Sequence, residues 1–156
     1  MSLKDEVELL RRVPVFAQIE PAKLKLLAFT SERIAYEPGK ILFHRGDMAD
    51  AAYIIIEGEV EVMVDGPAGP VTVAMIGKND IVGEIAILCD VPRTATVKAR
   101  ERVVTLRINK ELFLRLVNEF PQMAVAIMRE LAHRLEHNNN RLREALAEVE
   151  RLRKSA

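Results

Sequence analysis

Residues 83–96 read Gly83-Glu84-Ile85-Ala86-Ile87-Leu88-Cys89-Asp90-Val91-Pro92-Arg93-Thr94-Ala95-Thr96, a glycine and a carboxylate, a short apolar turn, then an arginine within a dozen residues. Gly83 has no Cβ and lets the backbone approach a bound group closely. Glu84 to Leu88 can open a short helix whose first N–H groups point outward, and a helix start of that kind attracts anions. Arg93 brings a planar fork able to bond two phosphate oxygens at once. Glu84 repels a phosphate, but fits as the acceptor of a sugar hydroxyl beside one. A surface ion pair flanking a turn would require neither Gly83 nor the order Pro92-Arg93-Thr94-Ala95.

Around this stretch lie short runs rich in Val, Ile and Tyr, cut by Glu37-Pro38-Gly39, Arg45-Gly46-Asp47, Glu57-Gly58, Asp65-Gly66-Pro67 and Gly77-Lys78-Asn79-Asp80. Val60, Val62 and Val64 alternate with Glu59, Glu61 and Met63, the pattern of a half-buried strand. Val71 to Ile76 and Thr94 to Ile108 complete the β region, with a hairpin tip at Asp65 to Pro70. Closely spaced short strands predict a β-roll or jelly roll. Helices flank it. Leu3, Val7, Leu9 and Leu10 mark an amphipathic helix over 3–12, and Pro21 opens a second over Ala22 to Phe29. Asn109 caps a helix over Lys110 to Asn118, and Pro121 starts another that runs from Gln122 to about Lys154, on the order of 50 Å. The expected class is α+β in one domain over 1–156. It holds N-terminal helices in 1–30, the roll in 31–108 and, in 109–156, a hinge helix followed by a long dimerisation helix.

On the long helix Met128, Leu131, Leu135, Asn138, Leu142, Ala145, Val149 and Leu152 are spaced alternately by three and four, a heptad seam. One small domain cannot cover such a seam, so the expectation is a parallel homodimer through Met128 to Leu152, with Glu148 facing the partner's Arg153. Asn138 interrupts the seam, and a polar core position fixes register. His133 and His137 fall on the outer face with no third ligand evident, and read as solvated rather than metal-binding. His44 stands in a strand and is assigned nothing.

The 83–96 stretch resembles the phosphate-binding cassette of the cyclic nucleotide-binding domain family, the catabolite activator protein and kinase A regulatory subunit type. That cassette reads Gly-Glu-(Leu/Ile)-Ala-Leu, a few variable residues, then Pro-Arg-(Thr/Ser/Ala)-Ala-Thr, and the chain matches it with Ile87 standing at the last Leu position of the first block. The terminal helices extend the resemblance over almost the whole chain. It implies that Glu84 takes the ribose 2′-hydroxyl and Arg93 the cyclic phosphate. Thr94 adds a hydroxyl to the phosphate or to guanine, and Gly83, Ile85, Ala86 and Ala95 complete the cassette. It also implies an apolar base pocket of Val62, Val73, Ala74, Ile76 and Val82, with Asn138 and Asn139 over the base, one from each subunit. The family has small hydroxyl residues there; amides donate as well as accept, so they suit adenine or a guanine edge. Cyclic AMP is the favoured ligand, cyclic GMP the alternative.

The implied protein is a sensor whose ligand moves the C-terminal helix. No catalysis, metal or cofactor is expected, since hydrolysis needs a metal or base beside the phosphorus. A cupin-type metal enzyme would need clustered strand histidines, where only His44 is present. With 156 residues, 49% of them hydrophobic, the chain can fill one core. Lys+Arg and Asp+Glu are both 23, so no global basic field draws in nucleic acid. The end at Ala156 leaves no room for a helix-turn-helix, which fits either a stand-alone sensor signalling through a protein partner or a piece of a longer regulator, channel or kinase. No apolar run spans a bilayer and no signal peptide precedes the charges from Lys4 onward, so no membrane role is expected. The single cysteine, Cys89, suits a reducing cytoplasm and reads as a variable loop residue.

Overall fold

The structure, a computed structural model, describes residues 2–155. Helix α1 (Leu3–Arg11) and a 3₁₀ turn (Pro14–Phe16) precede α2 (Pro21–Thr30). Ser2 caps α1, its Oγ accepting from the Asp5 N–H while the Asp5 carboxylate accepts from the Ser2 N–H. Strands β1 (Glu32–Tyr36), β2 (Ile41–Phe43), β3 (Ala51–Glu57), β4 (Val60–Gly66), β5 (Gly69–Ile76) and β6 (Ile81–Val82) lead to the short helix α3 (Glu84–Cys89). Then come β7 (Thr96–Ala99), β8 (Val103–Asn109), α4 (Lys110–Glu119) and α5 (Pro121–Lys154). Two four-stranded sheets, ordered β1-β8-β3-β6 and β2-β7-β4-β5, pair antiparallel throughout. This is the expected α+β jelly roll with helices at both ends.

Strand β3 shows why the sheets stack. Its apolar run is continuous because both of its faces are buried. Ala51, Tyr53 and Ile55 join Leu42, Val60, Val97 and Val103 between the sheets. Ala52, Ile54 and Ile56 face the helices, where Phe16, Leu24, Phe113, Met123 and Ile127 form a second cluster. The period of two thus assigns alternate residues of one strand to two cores.

Val62 of β4 pairs with Ala74 but Met63 with Thr72, leaving Val73 as an extra, bulged residue of β5. Two expectations are corrected. The stretch 94–108 is not one β segment. Residue 93 is tied outside the sheets, its N–H donating to Asp47 O and its carbonyl accepting from the Gly46 N–H; pairing begins at Thr96 and is interrupted between Ala99 and Val103, where the Arg100 N–H donates to Glu59 O. Cys89 closes α3 rather than standing in a loop, and is exposed. The cap on α4 is as expected: Asn109 Oδ1 accepts from the Leu112 N–H at 2.8 Å. Helix α5 buries Met123 and Ile127, then runs outward with Leu135, Leu142, Leu146, Val149 and Leu152 all more than half exposed.

Candidate functional site

Between the cassette, the inner face of β4 and β5, and α5 lies a cavity of about 300 Å³. It is lined by Gly83, Glu84, Ile85, Ala86, Arg93, Thr94 and Ala95 from the cassette, by Val62, Val73, Ala74, Ile76 and Val82 from the roll, and by Asn138 from α5. Val73 and Ala74 are sequence neighbours, yet both face the cavity. A regular strand would point them to opposite sides; the bulge at Val73 turns them the same way. Asn139 does not line it: one residue further round a helix is rotated by about 100°, and the side chain leaves the face that Asn138 shares.

Gly83 makes the cassette possible. It sits at φ +88°, a left-handed conformation, and a Cβ there would lie 2.8 Å from Arg93 Nη1 and 3.4 Å from Ala51 O. Both conditions exclude a larger residue. Gly83→Ala is expected to cost about 1–3 kcal/mol of stability, lowering the melting temperature by several degrees, and to displace the Arg93 side chain. Thermal melting by circular dichroism checks this; an unchanged midpoint would refute it.

Arg93 is 3% exposed. Its Nη1 donates to Gly83 O at 2.7 Å and its Nη2 to Ala51 O at 2.5 Å, with Asp50 Oδ1 3.7 Å from Nη2. The Phe43 ring covers one face of the guanidinium, 4.0 Å from its central carbon. Nε has no protein partner. Burial lowers the Arg93 pKa from its ordinary value, while Tyr53, Asp50 and Asp47 oppose the shift. An arginine so placed ties the cassette to β3, which the sequence does not reveal.

Glu84, 1% exposed, opens α3. Its Oε1 accepts from Arg134 Nη1 at 2.9 Å, and Arg134 Nη2 donates to Ile81 O at 2.9 Å. Glu84 Oε2 has no protein partner. Burial pushes the Glu84 carboxyl above its usual range, with Arg134 pulling the other way. Arg134 thereby joins α5 to the cassette, and it lines the cavity with Phe43, Val97, Leu131 and Leu135, none of which sequence reasoning placed there. A signal for Arg134 existed: it stands four residues before Asn138, on the same helix face. Phe43 offered none.

An open groove of about 680 Å³ adjoins the cavity and shares Val73, Ala74, Ile76, Arg134 and Asn138 with it. Exposed His133 and His137 stand on its wall. Among the described residues no group of three or more His, Cys, Asp or Glu side chains is arranged to hold a metal ion. Among the same residues no helix is long and apolar enough to cross a membrane.

Known proteins resemble this chain in sequence and in fold. The chain is 28% identical over 136 residues to a CRP-like cAMP-activated global transcriptional regulator of Mycobacterium tuberculosis, covering 86% of this chain and 61% of the regulator. It is 31% identical over 109 residues to a cAMP-dependent protein kinase regulatory subunit of Blastocladiella emersonii, covering 69% of this chain and 27% of the subunit. The catabolite activator protein of Thermus thermophilus superposes with a TM-score of 0.72 at 28% identity, over 85% of this chain and 62% of that one. The chain thus spans less than two thirds of each of these proteins. The cyclic nucleotide-binding domain profile matches residues 33–120, which takes in both sheets, the cassette and all of α4, and the chain therefore belongs to the cyclic nucleotide-binding domain family.

Proposed function

We propose that this chain is a sensor that binds a 3′,5′-cyclic nucleotide, cyclic AMP in preference to cyclic GMP, and does no chemistry on it. One observation carries the reading. A guanidinium and a carboxylate are buried in the walls of the same cavity, and each keeps a polar atom, Arg93 Nε and Glu84 Oε2, without a protein partner. Buried polar atoms are rarely left unpaired, and these two match an anion and a hydroxyl donor. Arg93 then takes the cyclic phosphate, with Thr94 adding its hydroxyl, and Glu84 takes the ribose 2′-hydroxyl. The base lies on Val62, Val73, Ala74, Ile76 and Val82, and Asn138 reads its edge from the rim.

The Arg134 bridge to Glu84 couples ligand to helix in this reading. A sugar hydroxyl at Glu84 competes with or reinforces that bridge and so shifts the position of α5. The shift is limited to the ligand's differential affinity for the two positions. Leu142, Val149 and Leu152, exposed along the outer half of α5, form with Ala145 a parallel homodimer seam, within which Asn139 reaches the partner's ligand. The output is to a protein partner rather than to DNA or a membrane, and the site of action is the cytoplasm, supported by balanced charge and a single unpaired cysteine.

Thermal melting with each nucleotide tests the reading. A hundredfold excess over the dissociation constant stabilises by about 2.7 kcal/mol, or ~5–10 °C for a domain of this size. Asn138→Ala should weaken cyclic AMP by about 1–2 kcal/mol and leave cyclic GMP nearly unchanged. Tighter cyclic GMP binding that is lost in Thr94→Ala would reverse the preference. Leu142→Glu, beyond the cavity-lining part of α5, should give monomers by light scattering. An unmodified chain that is monomeric at tens of micromolar, with and without ligand, would contradict the seam.

A further inference from the structure

Phe43 ends β2 and is the single aromatic side chain among the described residues lining the cavity. Its ring lies 4.0 Å from the guanidinium carbon of Arg93, well within cation–π range. Tyr53 of β3, 5% exposed, packs against that ring with centroids 5.9 Å apart, so the phenyl group is itself backed by the core. Two carbonyls, Gly83 O and Ala51 O, hold the Nη atoms in the guanidinium plane. The ring supplies what in-plane hydrogen bonds cannot: it fixes the tilt of that plane and keeps water off one face.

We infer that Phe43 is a positioning residue for anion binding, holding Arg93 by its π face so that the guanidinium edge with the unpartnered Nε is presented already oriented and partly desolvated. This rests on the cyclic nucleotide reading of the cavity. Orientation fixed before binding removes the rotamer entropy that a long arginine side chain otherwise loses on meeting its ligand. Excluding water from one face strengthens the N–H donors that remain. Phe43 also packs against the inter-sheet cluster, so a purely structural role is the competing account.

Graded fluorination of the ring separates the two. Replacing Phe43 in the full chain by mono-, di- and trifluorophenylalanine drains the π face while nearly keeping shape and apolarity. The dissociation constant for cyclic AMP is expected to rise with each fluorine, reaching about 5- to 30-fold, and Phe43→Leu should fall at the weak end of that range. Phe43→Tyr, which keeps the π face, should bind within about threefold of the parent. In the free protein, the Arg93 Nε–H resonance should sit upfield from the ring current and lose that shift in Phe43→Leu. Parent binding with a flat fluorine series, or an Arg93 resonance indifferent to Phe43→Leu, would overturn the inference alone. A parent chain that binds no cyclic nucleotide would overturn the functional reading and, with it, this role for Phe43.

Discussion

Arg93→Ala is expected to weaken cyclic nucleotide binding by about 30- to 1000-fold, or ~2–4 kcal/mol, the worth of a bidentate charge-assisted contact. Arg93 is also buried, so its removal reaches the fold as well as the ligand. Alanine leaves Gly83 O and Ala51 O without the guanidinium and empties the space beneath Phe43. Each buried carbonyl left unpaired costs about 1–3 kcal/mol, so a measurable loss of stability accompanies the loss of affinity. Arg93→Lys separates the two effects. The charge stays, but an ammonium cannot reproduce the planar fork, so binding should still fall by at least about tenfold. Calorimetry for affinity and chemical denaturation for stability, on both variants, check this. Arg93→Ala binding within threefold of the parent would mean the phosphate sits elsewhere.

Glu84→Gln is the second large effect. A neutral amide oxygen still accepts a hydrogen bond but no longer carries charge, so affinity should fall by roughly 10- to 100-fold, about 1.5–3 kcal/mol. The pH profile gives an independent sign. Burial holds the Glu84 carboxyl above its usual range, so the folded state keeps this proton more tightly than the unfolded chain does. The stability contributed by that shift is complete below the unfolded pKa and is lost as pH rises through the raised folded value. Ligand binding runs the opposite way, because the ionised carboxylate is the stronger acceptor. Affinity should therefore decline as pH falls through a range above that of an ordinary glutamate, and this acid limb should be absent in Glu84→Gln. Affinity measured against pH for both proteins checks it; identical profiles would remove Glu84 from the site.

The jelly roll was legible because its signals are local: turn residues at short spacing, a proline at each of two helix starts, and Asn109 as a cap. The two sheets could be foreseen as a class, but their order could not, since β1 pairs with β8 through Ile34 and Thr105, 71 positions apart in the sequence. The cavity-lining residues of the cassette were legible from one contiguous stretch and its family resemblance. Val73 beside Ala74 owed its place to that resemblance alone, because alternation forbids the pair and only a bulge permits it. Asn139 lies off this chain's own cavity, and its expected place over a base depends on a second subunit. Phe43 and Arg134 were missed for a different reason. Each is remote in sequence from its charged partner, and a lone phenylalanine in a strand or a lone arginine on a helix looks like ordinary core or solvated surface until the chain folds.

Calorimetric titration of the unmodified chain with 3′,5′-cyclic AMP tests the cyclic nucleotide site most directly. Saturable heat with a dissociation constant in the micromolar range or tighter, about −8 kcal/mol or more favourable, is the predicted result. No heat with the ligand at millimolar concentration would contradict it.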